Sequence, residues 1–205
     1  MPAELFSCDL VAINTFSAQA FEAYAVSDQL RQAGVQTAMG GLHVSVLPDE
    51  ALEHADFAVV GEGENVWPAL VRALGRGTTQ RLWNAADYPA VEARWLPTPR
   101  YDLLEKRPYN RFPVQTTRGC PWRCDFCASN VMLRQTYRKQ PVADVIRDIR
   151  AIQRLRKGPF IEFADDNTFV DKDWGKELCR QVLIGLESPE QTALDGIELK
   201  SSFKL

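Results

Sequence analysis

The chain has 205 residues, 45% of them hydrophobic and 25% charged, with a formal net charge of −3. This balance suits one large or two small globular domains and excludes a disordered tail, a collagen-like repeat and a disulfide-dense miniprotein. No apolar run approaches the ~20 residues of a membrane-spanning helix, and Met1-Pro2-Ala3-Glu4 has no basic leader, so a soluble, cytoplasmic protein is expected. Charge is unevenly placed: residues 1–75 carry a net −8 and residues 113–157 a net +7. The basic stretch either meets an anionic ligand or, for Arg147, Arg150, Arg154 and Arg156, forms the solvated face of a helix.

Residues 10–75 alternate between strand and helix patterns. Leu10–Asn14 is an apolar strand. Ala18–Ala33 repeats Phe21, Tyr24, Ala25 and Leu30 at helical spacing and stops at Gly34. Val35–Met39 is a second strand running into Gly40-Gly41 and His43. Pro48 opens a short helix to about His54, with Asp49 and Glu50 suited to its first turn. Phe57–Val60 is a third strand, followed by Gly61-Glu62-Gly63-Glu64 and a helix from Asn65 to Leu74. Strands alternating with helices predict an α/β fold with a parallel sheet. Open sheets of this kind usually have five or six strands, so residues 1–75 read as a partial Rossmann-like module.

From 76 to 112 the periodicity fades and prolines accumulate, which predicts an extended connector. Trp83, Tyr88, Trp95 and Tyr101 are suited to pinning it to a surface. A second βα succession then fills 113–205. Val114–Thr117 is a strand, Cys120–Cys127 a loop, and Pro141–Lys157 a helix with Val142, Val145, Ile146, Ile149, Ile152 and Leu155 on its apolar stripe. Phe160–Ala164 is a strand ending in Asp165-Asp166-Asn167. A helix from Asp173 to Val182 and a strand over Leu183–Leu186 complete the pattern.

The chemistry concentrates in Cys120-Pro121-Trp122-Arg123-Cys124-Asp125-Phe126-Cys127. Three thiolates spaced C-x3-C-x2-C after a strand can reach one iron–sulfur cluster, which generally takes four protein thiolates. With three, one iron keeps an open position, as a metal centre needs in order to bind substrate. Arg118 and Arg123 add positive charge beside an anionic cluster. The competing reading is a zinc site completed by Cys179 or a histidine, although zinc spacing usually shows two C-x2-C-like pairs and no second pair exists here. A zinc-stabilised nucleic-acid binder would then use the basic stretch 134–157, but its one aromatic, Tyr137, does not make the interleaved pattern of aromatic and basic residues that a stacking platform requires.

Arg118-Gly119-Cys120-Pro121 with CxxxCxxC and Phe126 before the last cysteine resembles the radical S-adenosylmethionine (SAM) superfamily. The resemblance implies a [4Fe-4S] cluster on Cys120, Cys124 and Cys127, SAM chelated at the open iron, and reductive cleavage of SAM to a 5′-deoxyadenosyl radical. Phe126 would lie near the adenine. Asp165 and Asp166 match the strand that meets the SAM methionine moiety, or else cap a turn. Glu187 and Ser188 match a later SAM-contacting strand, though Glu187 equally suits a surface. Gly40-Gly41-Leu42-His43, Pro48-Asp49-Glu50 and Gly61-Glu62-Gly63-Glu64 resemble the cobalamin-binding domain that precedes this core in the B12-dependent class. Gly40 and Gly41 would admit a flat ligand closely, and His43 is either a corrin contact or a loop or core residue. The Asp-x-His-x-x-Gly cobalt-ligating motif is absent.

The implied organisation is a partial cobalamin-binding module (1–75), a proline-rich linker (76–112) and an incomplete radical SAM (β/α) partial barrel (113–205). The implied activity is cobalamin-dependent methyl transfer or related C–H chemistry on a small-molecule, lipid or tetrapyrrole-like substrate. The electron donor would be flavodoxin or ferredoxin, and no nucleic acid is expected. Residues 113–205 fall far short of the ~180 residues that six βα units at ~30 residues each require. Val182 also leaves no turn before a strand at Leu183. Both points suggest a truncated or internally deleted member of the family, with a non-catalytic cluster- or corrinoid-binding fragment as the alternative to an active enzyme.

Overall fold

The computed structural model describes residues 1–92, 96–104, 109–122, 124–127 and 136–187, with side chains to 182 in the last segment. The chain divides into two compact units, residues 1–96 with 123–134, and 97–122 with 135–205.

In the first unit β1 (Leu10–Asn14), β2 (Gln36–Gly40), β3 (Phe57–Val60) and β4 (Leu82–Asn84) form one parallel sheet in the order β1-β2-β3-β4. Four helices join them: α1 (Ala20–Gln32), α2 (Leu42–Val46), α3 (Pro48–His54) and α4 (Gly63–Leu74). Alternate strand residues face opposite sides, and the two sides build separate cores. Met39 and Ala58 pack with Ala20, Ala23 and Tyr24 of α1, Val44 of α2, and Ala51 of α3. Ala38, Phe57, Val59 and Trp83 pack with Val66 and Leu70 of α4. Helices α1 and α4 therefore cover opposite faces of a sheet whose strands run in simple succession, so their two crossovers have opposite hand. The right-handed form dominates parallel sheets.

The sequence reading counts three strands here and leaves 76–112 as connector. The structure adds β4, in which Trp83 is buried, and places Tyr101 in the core of the second unit. A three-residue strand is too short to show a period, which is why the pattern hides it. Trp95 lies outside the described residues.

In the second unit β5 (Phe112–Val114) pairs in parallel with β8 (Ile161–Phe163), and β6 (Thr117–Arg118) pairs antiparallel with β7 (Arg138–Lys139). Helix α5 (Val142–Leu155) buries Val145, Ile146, Ile149 and Ile152 against Tyr101, Phe112, Val114 and Leu178. Asp148 lies on the same buried face, where its carboxylate accepts a 2.7 Å bond from the Thr98 hydroxyl. Arg147, Arg150, Arg154 and Arg156 are exposed, as a solvated helix face requires.

Helix α6 runs from Lys172 to Glu187. This corrects the strand expected over Leu183–Leu186. Leu186 continues the four-residue spacing of Leu178 and Val182, and no proline breaks the helix on the way. The abrupt helix-to-strand junction is therefore absent.

Candidate cofactor sites

The loops leaving β1, β2 and β3 lie at the carboxyl edge of the first sheet, where open α/β sheets bind ligands. They are bonded to one another. The Thr15 N–H donates to the Gly40 carbonyl at 3.1 Å, and the His43 N–H donates to the Thr15 carbonyl at 3.4 Å. The Ser45 hydroxyl donates to the Gly41 carbonyl at 2.9 Å and accepts from the Gly61 N–H at 2.9 Å. One serine thus ties the loop after β2 to the loop after β3.

Gly41 sits at φ +100°, and a Cβ there would lie 2.1 Å from Asn14 Oδ1 and 2.7 Å from the Thr15 carbonyl oxygen. Only glycine fits both the dihedral and the contact. The space at Gly41 is taken by the protein's own backbone and Asn14. At Gly40 a Cβ would make ordinary contact with Val59 at 3.6 Å.

His43 is buried on α2 with both ring nitrogens engaged, Nε2 with the Tyr24 hydroxyl at 2.8 Å and Nδ1 with the Ser17 hydroxyl at 3.0 Å. Glu50 Oε1 stands 3.8 Å from Nε2. Burial, followed by the Glu50 carboxylate, pushes the Tyr24 hydroxyl up to about 12. Tyr24 also stacks on His54, with ring centroids 4.3 Å apart.

In the second unit the paired strands β5 and β8 end side by side. Asp165, just beyond β8, accepts from the backbone N–H of Thr116 at 2.8 Å and of Thr117 at 2.9 Å on Oδ1. Its Oδ2 accepts from the hydroxyls of Thr116 and of Thr168, the latter at 2.7 Å. Asp166 is exposed. Gln140 closes the group from the other side: its N–H donates to the Thr116 carbonyl at 2.9 Å and its Nε2 to the Gln115 carbonyl at 2.7 Å.

Gly119, at φ +80°, turns the chain from β6 into the cysteine segment. Cys120, Cys124 and Cys127 form no disulfide, Cys124 exposed and the other two half-buried. The Cys127 N–H donates to the Cys124 carbonyl at 3.0 Å, closing a tight turn between them. Phe126 is 92% exposed. Among the described residues no three His, Cys, Asp or Glu side chains are gathered as a metal-binding group. Three cysteines within eight residues of sequence nonetheless offer a donor set that suits an iron–sulfur cluster. Cys8 and Cys179 are exposed free thiols elsewhere. Glu187 ends α6, while Arg123 and Ser188 lie outside the described residues.

The sequence reading missed Ser45, Ser17 and the pair Thr116-Thr117. The threonine pair carried a signal, two adjacent hydroxyls at a strand end ahead of the cysteines, whereas Ser45 carried none.

Residues 3–71 match the B12-binding domain family. The chain is similar to bacteriochlorophyllide d C-8(2)-methyltransferase of Chlorobaculum tepidum, 34% identical over 137 residues that cover 64% of this chain and 30% of that protein. It is also similar to hopanoid C-3 methylase of Methylococcus capsulatus, 28% identical over 166 residues, 69% of this chain and 30% of that one. The radical S-adenosylmethionine methyltransferase TsrM of Kitasatospora setae shares the fold, with a TM-score of 0.67 at 15% identity over 88% of this chain and 42% of that one. The chain therefore spans less than a third of the length of these two curated relatives. Residues 3–71 thus carry a B12-binding domain, and the chain as a whole, with its C-x3-C-x2-C segment beyond that domain, is similar to methyltransferases that share its fold.

Proposed function

We propose that this chain carries the cobalamin- and cluster-binding parts of a radical SAM methyltransferase. The observation that carries the reading is the presence on one chain of a B12-binding domain at residues 3–71 and three cysteines spaced C-x3-C-x2-C after a strand. Cys120, Cys124 and Cys127 are the residues that would hold a [4Fe-4S] cluster. Phe126, with its ring in solvent, is available to cover the adenine of SAM, and exposed Asp166 to meet its ammonium group. The mutually bonded loops bearing Gly40, Gly41 and His43 would hold cobalamin, with His43 acting through its hydroxyl partners. When bound, the cluster supplies one electron for reductive cleavage of SAM, and cobalamin supplies a carried methyl group.

The substrate class follows the relatives. A tetrapyrrole or a polycyclic lipid is the substrate class, since bacteriochlorophyllide and hopanoid methylases are similar to this chain. A flavodoxin or ferredoxin is the electron donor and the cytoplasm the compartment. Among the described residues no helix is long and apolar enough to cross a membrane.

The test is anaerobic reconstitution with iron and sulfide, followed by measurement of 5′-deoxyadenosine released from SAM under a strong reductant. A Cys120→Ala/Cys124→Ala/Cys127→Ala variant is the control. Cluster-dependent release supports the enzyme. A bound cluster without release assigns the chain a non-catalytic binding role, and zinc in place of iron–sulfur removes the reading.

A further inference from the structure

Two adjacent carboxylates follow β8, and the resemblance treats them alike, but their surroundings differ. Asp165 takes four hydrogen bonds, all from this chain, so each of its oxygens already has two donors. An ionised carboxylate has about four acceptor sites. Its donors are not scattered: the N–H groups of Thr116 and Thr117 and the Thr116 hydroxyl all belong to the exit from β5, three residues or fewer ahead of Gly119. Thr116 and Thr117 are almost wholly buried, at 0% and 1% exposure. Thr117 itself begins β6, whose other residue, Arg118, adjoins the turn at Gly119.

We propose that Asp165 is a positioning residue: it clamps the ends of the two parallel strands together and fixes the backbone that leads into the cysteine segment, rather than contacting a ligand itself. The proposal rests on the cluster reading for its consequence, but the clamp belongs to the chain alone. A buried backbone N–H without an acceptor is costly, and bonds to an ionised acceptor are the stronger kind. Without Asp165, the Thr116 and Thr117 amides lose their acceptor and the approach to Cys120 loosens. Asparagine keeps one oxygen for both amides, so it preserves the half of the clamp that fixes the backbone.

The experiment compares the wild-type chain with Asp165→Ala, Asp165→Asn and Thr168→Val. In the apo chain, amide exchange at Thr116 and Thr117 is expected to accelerate by about tenfold or more in Asp165→Ala, and by much less in Asp165→Asn and Thr168→Val. After anaerobic reconstitution, iron bound per chain should fall several-fold in Asp165→Ala and recover in Asp165→Asn. The affinity for SAM per assembled cluster, read from the change in the cluster's electron paramagnetic resonance spectrum, should be unchanged. Unaltered exchange in a folded Asp165→Ala chain overturns the clamp. Normal iron loading with lost SAM affinity overturns it in favour of a direct ligand role. If the wild-type chain binds no iron, the cluster reading fails, while the exchange measurement still decides the clamp.

Discussion

At Gly41 the backbone conformation and the space around it make the same demand. Alanine there would hold a left-handed extended dihedral and push into Asn14 and Thr15. A strained residue of this kind costs about 1–3 kcal/mol, so Gly41→Ala should lower the urea midpoint of the first unit and weaken cobalamin binding, while Gly40→Ala should leave the urea midpoint nearly unchanged. Two buried tyrosines, one in each unit, set an alkaline limit. Tyr24 and Tyr101 are each raised to about 12, chiefly by burial, with the carboxylates of Glu50 and Asp148 respectively adding to the shift. An unfolded tyrosine ionises near 10. Between about pH 10 and 12 the unfolded chain sheds protons that the folded chain keeps, so stability is complete below pH 10 and falls as pH rises through that window. Tyr24→Phe and Tyr101→Phe should each flatten the fall in their own unit, as read by urea midpoints across pH 9–12. Residue types alone pointed to the cysteines and to Gly41. They were silent on the difference between Asp165 and Asp166, because hydrogen-bond saturation is set by what the fold brings alongside.

Elements with a clear period were legible. Helix α3 and strand β3 fall where Pro48 and the run Phe57–Val60 put them, and the stripe on α5 matches its buried face. Ile152, wholly buried on that face, makes a direct check. Ile152→Ala should destabilise the second unit by about 2–5 kcal/mol, measured by denaturant titration, whereas Arg154→Ala on the exposed face should change little. Illegible elements share a cause. β4 and β6 are two or three residues long, and α2 spans only Leu42–Val46; their conformation comes from neighbours rather than from pattern. At Leu183–Leu186 the error was of another kind. A four-residue apolar run fits a buried strand or the continuation of a helix equally well, and the helix already under way at Lys172 decided the outcome.

At the scale of the whole chain, the alternation of strand and helix was enough to predict a parallel α/β architecture, and the cysteine spacing pointed to the family. The order of strands was not legible, because nothing in β1 to β4 names its neighbour. Nor was the face on which α4 packs, which depends on how Val66 and Leu70 meet Phe57, Val59 and Trp83.

That face bears on the order in which the molecule assembles. A strand of three residues carries little local guidance of its own. β4 instead joins through contacts that require earlier parts: the Ala58 N–H bonds the Arg81 carbonyl at 2.9 Å, and the Arg81 guanidinium reaches the Ala55 carbonyl at the end of α3 at 2.8 Å. β4 should therefore lock on late, after β1 to β3 and α3 are in place. Trp83→Phe should speed unfolding while leaving the folding rate within about twofold in stopped-flow kinetics. An equal slowing of folding would instead put this strand in the nucleus.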